Sequence, residues 1–315
     1  MNLEIGERLT EAALEELLRT DTKFVRNQNK ATLVMKDFIQ TTFKTSDGVK
    51  LSYLRAGTGL PIVLLHGSFG SGACFKSQAQ ILAEQYDVIV LDQRSHGESE
   101  KVPFGMKVAR LSKDLFELIT ALNLRRISLL GHSMGAAVIW SYIELFGDAE
   151  LSKLILIDQP PMLTSNPNWT EEECSESGAI FDAQQLYSTL AVLRDGSGEE
   201  FLRQGMDFWL TKKATPQVKD MLLQNALKGS FDYARTLNYD HWLNDWRETI
   251  PGIRLPTLVV SGRASPIPWK SQEWIHRKIV GSQLVIFEEE EGGKHFMFLE
   301  NPQRFNRVLM EFLTR

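Results

Sequence analysis

The chain has 315 residues, 43% hydrophobic and 24% charged, enough apolar material for a sizeable core in one large or two ordinary domains. Thirty-five basic against forty acidic side chains leave a net charge of −5. No long basic block is present, which excludes the electrostatic footprint of a nucleic-acid or anionic-membrane binder. Cys74 and Cys174 stand far apart and outside any CxxC or Cys/His cluster, so neither a disulfide framework nor a metal site is indicated. A reducing, cytoplasmic setting is expected, with Cys174 an ordinary thiol. The amino terminus mixes Glu and Arg where a signal peptide would be apolar, and no apolar run reaches the roughly 18 residues of a membrane span.

In chain order, Thr10 followed by Ala13, Leu14, Leu17 and Leu18 predicts a capped amphipathic helix, suited to docking or a dimer contact. From Phe38 the period changes to two. FIQTTFKT and VKLSYLRA, separated by Asp47-Gly48, predict a β-hairpin. The apolar runs PIVLLH, DVIVLD, RISLLG, KLILID, PTLVVSG and SQLVIF then alternate with helix-length segments. That pattern predicts an α/β fold with a doubly wound, mainly parallel sheet. After KLILID, the sixth strand, roughly 90 helix-patterned residues intervene, far more than an ordinary connection. They are expected to form an inserted helical cap over 159–250, leaving a core of 38–158 plus 251–315 and an extension over 1–37. Trp169, Trp209, Trp242 and Trp246 fall in the insert, to line a pocket or fill a small core.

The chemistry concentrates in RISLLGHSMGAAVIWSYIELF. An apolar strand runs into Gly131-His132-Ser133-Met134-Gly135 and then a helix, the context a G-x-S-x-G nucleophile elbow requires. Ser133 is the expected nucleophile, raised on a strained turn with a helix amino terminus behind it. His295 follows the last strand in a glycine-led loop and completes the order nucleophile, acid, histidine. The other five, His66, His96, His132, His241 and His276, read as surface histidines without a task. In LLHGSFGSG, glycines at 67, 70 and 72 let the backbone curve over the serine, so the amides of Ser68 and Met134 are the expected oxyanion donors, with Phe69 as runner-up to Ser68. A phosphate loop is excluded, since neither GKS/T nor a spaced G-x-G-x-x-G is present.

With HGSFG, DQRSHGES, GHSMG and GGKHF-x-x-x-ENP in this order, the chain from about Val49 to Leu313 resembles the α/β-hydrolase superfamily. The resemblance implies a structural role for Asp92, Arg94 and His96. It also exposes a departure. The triad acid usually follows the strand matching PTLVVSG as G-x-x-D, yet this sequence reads Gly262-Arg263-Ala264-Ser265. Some hydrolases of this fold carry the acid one strand earlier, which points to Asp158 at the end of KLILID. The alternatives are an acid among Glu288 to Glu291, or a Ser133–His295 dyad leaning on Ser265.

The resemblance implies a serine hydrolase acting on a carboxylic ester or lactone through an acyl-enzyme, with no cofactor or metal. A serine at the elbow argues against the epoxide hydrolases and haloalkane dehalogenases, which use an aspartate there. An amidase, a C–C bond hydrolase, a cofactor-free perhydrolase or haloperoxidase, and a non-catalytic ligand-binding protein remain as alternatives. The expected partner is a small acyl substrate, neutral or apolar, with neither nucleic acid nor membrane; oligomeric state is open.

Overall fold

A computed structural model describes residues 38–194 and 197–315; the helix expected after Thr10, and with it the 1–37 extension, lies outside the described residues. The two segments flanking Asp47-Gly48 form β1 (Ile39–Lys44) and β2 (Lys50–Ala56), an antiparallel hairpin with Lys44 opposite Lys50. The apolar runs become β3 (Pro61–Leu65), β4 (Asp87–Leu91), β5 (Ile127–His132), β6 (Leu151–Ile157), β7 (Thr257–Gly262) and β8 (Gln283–Phe287). Among the described residues these build one eight-stranded sheet in the order β1-β2-β4-β3-β5-β6-β7-β8, with β1/β2 and β2/β4 antiparallel and every other pair parallel. β3, β4, β5 and β7 are buried along their whole length, as strands covered on both faces must be.

Around the sheet run α1 (Lys76–Leu82), α2 (Val108–Ala121), α3 (Met134–Phe146), α9 (Trp269–Lys278), α10 (Met297–Glu300) and α11 (Pro302–Leu313). Between β6 and β7 lie α4 (Glu171–Ser177), α5 (Ala183–Arg194), α6 (Gly198–Trp209), α7 (Pro216–Leu227) and α8 (Phe231–Leu243). Leu111, Leu115 and Leu118 of α2 and Ala137 and Trp140 of α3 share a buried cluster with Val63, Leu65 and Leu129. Each leucine so buried contributes about 2 kcal/mol. Ile62, Leu64 and Leu130, equally buried, alternate with these residues and face the other side.

Helix ends are closed by specific side chains. Asn301 accepts from Arg304 N–H and Pro302 opens α11, while Thr215 and Pro216 do the same for α7. Lys107, which precedes α2, offers no side-chain cap; Asp240 of α8 reaches across and accepts from Val108 N–H at 2.8 Å. The segment between β6 and β7 is therefore bonded to the sheet body, and residues 38–315 form one compact unit. No helix among the described residues is long and apolar enough to cross a membrane.

Candidate active site

β3 has β4 on one side and β5 on the other, so the winding of the sheet reverses there and a crevice opens beyond the carboxyl ends of the strands. Leu65 pairs with Gly131, which brings the loop after β3 beside the end of β5. Ser133 follows β5 with φ 51° and ψ −125°, a left-handed conformation rare for a residue bearing a Cβ, and its N–H is held by Ile157 O at 2.8 Å. Only glycine fits on either side. A Cβ on Gly135 would stand 2.2 Å from Leu65 O, and one on Gly131 would stand 2.5 Å from Ala136 N.

β6 ends in the same way. Asp158 has φ 50°, its N–H is bonded to Val260 O at 2.9 Å, and it is fully buried. Its Oδ2 accepts from His295 Nδ1 at 2.8 Å and from Ser265 Oγ at 2.5 Å, and its Oδ1 accepts from Ser261 Oγ at 3.2 Å. The structure thus brings Asp158 to His295, and the serine at the usual acid position donates to that carboxylate. Glu288 pairs instead with Arg263, and Glu291 with Arg304. With Nδ1–H committed to the carboxylate, His295 keeps its Nε2 lone pair for a proton acceptor's task.

His295 has further supports that the sequence did not announce. Its N–H donates to Trp209 O at 3.2 Å, its carbonyl accepts from His132 Nε2 at 3.0 Å, and its ring lies 4.8 Å from that of Trp209. Burial, aided by His295 nearby, holds the His132 imidazole well below its ordinary pKa and hence neutral. His132, expected at the surface, is fully enclosed, as are His66, His96 and His241. The cause is their placement: His66 and His132 sit at the ends of central strands, His96 in the loop after β4, and His241 on the inner face of α8. No periodicity marks such positions. Asp92 accepts from Gly72 N–H and Glu98 N–H, and Arg94 bonds Asp114 and Asp47, so both act within the frame of the fold.

Ser68, Phe69 (φ 58°), Ser133 and His295 line a cavity of about 350 Å³. Among the described residues, the amides of Ser68, Phe69 and Met134 donate to no other group, as donors reserved for a ligand would be. Ser68 Oγ donates to Asn238 Oδ1 at 2.7 Å, tying the loop after β3 to α8. The walls are largely apolar and come mainly from the 159–250 segment, including Leu163, Phe181, Phe201, Trp209, Leu222 and Trp242. The four tryptophans of that segment divide. Trp209 and Trp242 line the cavity, Trp246 packs 6.2 Å from Trp140 in the core, and Trp169 lies under the Arg247 guanidinium. Among the described residues no group of three His, Cys, Asp or Glu side chains is arranged to hold a metal ion.

The chain belongs to the α/β-hydrolase family, whose model, described as alpha/beta hydrolase fold, matches residues 61–302. It is accordingly an enzyme of the α/β-hydrolase type. It is 26% identical to the non-heme chloroperoxidase CPO-A1 of Kitasatospora aureofaciens, over 86% of this chain and 98% of that one. It is 25% identical to the esterase YbfF of Escherichia coli, over 81% and 93% respectively. Among solved structures, an esterase from Exiguobacterium antarcticum superimposes with a TM-score of 0.80 at 24% identity, covering 88% of this chain and all of that one.

Proposed function

We propose that the protein is a serine hydrolase that cleaves carboxylic esters or lactones through Ser133, His295 and Asp158. The observation that carries this reading is the 2.8 Å bond from His295 Nδ1 to the buried Asp158 carboxylate, in a cavity that also presents Ser133 on its strained turn. His295 Nε2 takes the Ser133 proton as Oγ attacks the acyl carbon. The carbonyl oxygen gathers negative charge facing the Ser68 and Met134 amides, and the alcohol leaves with the proton that His295 returns. Water, deprotonated by the same nitrogen, then releases the acid and restores Ser133. Asp158 stabilises the imidazolium in both halves. The 159–250 segment acts as a cap that sizes the substrate, and its apolar walls favour a neutral acyl group. No step calls for a cofactor.

A second reading has hydrogen peroxide replacing water in the second half-reaction, giving a peracid; the relative named as a chloroperoxidase favours keeping it. The inward-facing Asp158 carboxylate speaks against a non-catalytic binding protein. The test is a panel of p-nitrophenyl esters, lactones, anilides and diketones, with peracid formation assayed alongside, together with fluorophosphonate labelling. Ser133→Ala is expected to lose labelling and to lower turnover by several orders of magnitude. Labelling that survives in the alanine variant would reject Ser133 as nucleophile.

A further inference from the structure

His241 of α8 lines the same cavity, yet its ring makes no hydrogen bond to another described residue. It is only 2% exposed, and its Nδ1 is fully enclosed. One turn earlier on the same helix face, Asn238 is 1% exposed; its Oδ1 is engaged by Ser68 Oγ, while its Nδ2 has no partner among the described residues. Buried polar atoms are nearly always bonded, and leaving one unpaired is costly. His241 stands in a largely apolar wall, and neither its ring nor Asn238 Nδ2, one turn away, finds a partner among the described residues.

We propose that His241 forms a polar subsite that binds a neutral oxygen substituent of the substrate, best a hydroxyl. The inference rests on the ester hydrolase reading above and narrows its substrate class to oxygen-bearing esters or lactones. Burial pushes the His241 pKa down to about 3, so near neutral pH the ring offers one N–H donor and one lone pair. A hydroxyl answers both at once. The cavity is lined by no Lys, Arg, Asp or Glu among the described residues, so it holds no counter-charge for an ionised substituent. Asn238, one turn earlier on α8, accepts from Ser68 and so ties the helix that carries His241 to the loop with the expected oxyanion amide.

The test uses matched ester pairs in which a methyl is replaced by hydroxyl or a hydrogen by hydroxyl: p-nitrophenyl butanoate against 3-hydroxybutanoate, and propyl butanoate against 2-hydroxyethyl butanoate. The readout is the ratio of kcat/KM within each pair, so intrinsic reactivity cancels between variants. His241→Phe, which keeps an aromatic ring and removes both nitrogens, is expected to lower the ratio about tenfold in at least one pair. His241→Asn, which keeps a donor and an acceptor, is expected to retain most of the preference. Ratios unchanged in His241→Phe, or an equal loss for every ester, would overturn the subsite. Calorimetric binding of the same propyl and hydroxyethyl pair to Ser133→Ala protein, with and without His241→Phe, reads the preference without turnover, so failure of the hydrolase reading is separable. Equal affinities there, alike in both proteins, would also overturn it.

Discussion

Ser265 donates its hydroxyl to Asp158 Oδ2 at 2.5 Å, the same oxygen that His295 Nδ1 engages. β6 and β7 are adjacent parallel strands, and Asp158 N–H is bonded to Val260 O, so the ends of both strands meet at the carboxylate that engages the imidazole. Ser265 stands within hydrogen-bond reach of the oxygen that engages His295, so a carboxylate placed there would start close to the ring. In this chain the earlier strand carries it, and a small hydroxyl on the later strand braces it.

Asp158→Asn is expected to lower kcat on a good ester substrate by about four orders of magnitude, the effect of losing the charge that stabilises an imidazolium. Ser265→Ala removes one charge-assisted bond while Ser261 remains on the other oxygen, so a loss of about tenfold is expected. Ser265→Asp placed in the Asp158→Asn background is expected to recover at least tenfold. Steady-state kinetics of the four proteins check this, and a double variant no better than Asp158→Asn would reject the convergence of the two strand ends.

Acid destabilisation should follow from the buried histidines. His66 accepts from Gln93 N–H at 3.1 Å through Nε2, and its Nδ1 meets Gly67 O at 2.9 Å, so the neutral ring has both nitrogens occupied. Burial pushes His66 from its ordinary 6.5 to about 4 and His96, with His66 facing it, to about 3. The unfolded chain therefore binds protons that the folded one refuses. Stability is full above about pH 6.5 and falls as the pH drops toward 4, by up to about 1.4 kcal/mol per unit for each such histidine. Urea unfolding at pH 8, 6.5, 5.5 and 4.5 should show this slope, and His96→Asn should flatten it; a free energy independent of pH across that range would contradict the burial argument.

Asp240→Ala leaves the first amide of α2 without its acceptor, since Lys107 offers none. A cost of about 1 kcal/mol is expected, equivalent to a fall in Tm of about 1–2 °C in a chain of this size. Asp240→Asn should lose less than half of that. Thermal unfolding followed by circular dichroism reads the difference, and equal Tm values for wild type and alanine variant would show that the amide finds another acceptor.

The strands and the elbow were legible because each is a local signal. Ser133 lies between a strand and a helix, with glycines where a Cβ has no room, and that information sits within about twenty residues. Asp158 and His295 could be nominated by counting strand ends, since position in a doubly wound sheet decides what lies near the crevice. The bracing of Asp158 by Ser265 and of His295 by His132 depends on partners more than 100 residues apart, which no period or spacing encodes. The tryptophans of the 159–250 segment fared likewise: Trp242 and Trp246 are neighbours in sequence, yet one faces the cavity and the other the core. Nor does FDYARTLNYDHWL differ in pattern from an ordinary core helix, so Asn238 and His241 gave no sign.

α8 commits three nearby residues to three separate tasks: Asn238 to Ser68, Asp240 to the start of α2, and His241 to the cavity, while Tyr239 between them stays exposed. Each successive residue of a helix turns by about 100°. Inserting or deleting a single residue ahead of Asn238 would swing all three away together, whereas a substitution disturbs only one. A change of length ahead of Asn238 is therefore expected to cost more than a substitution at any one of the three.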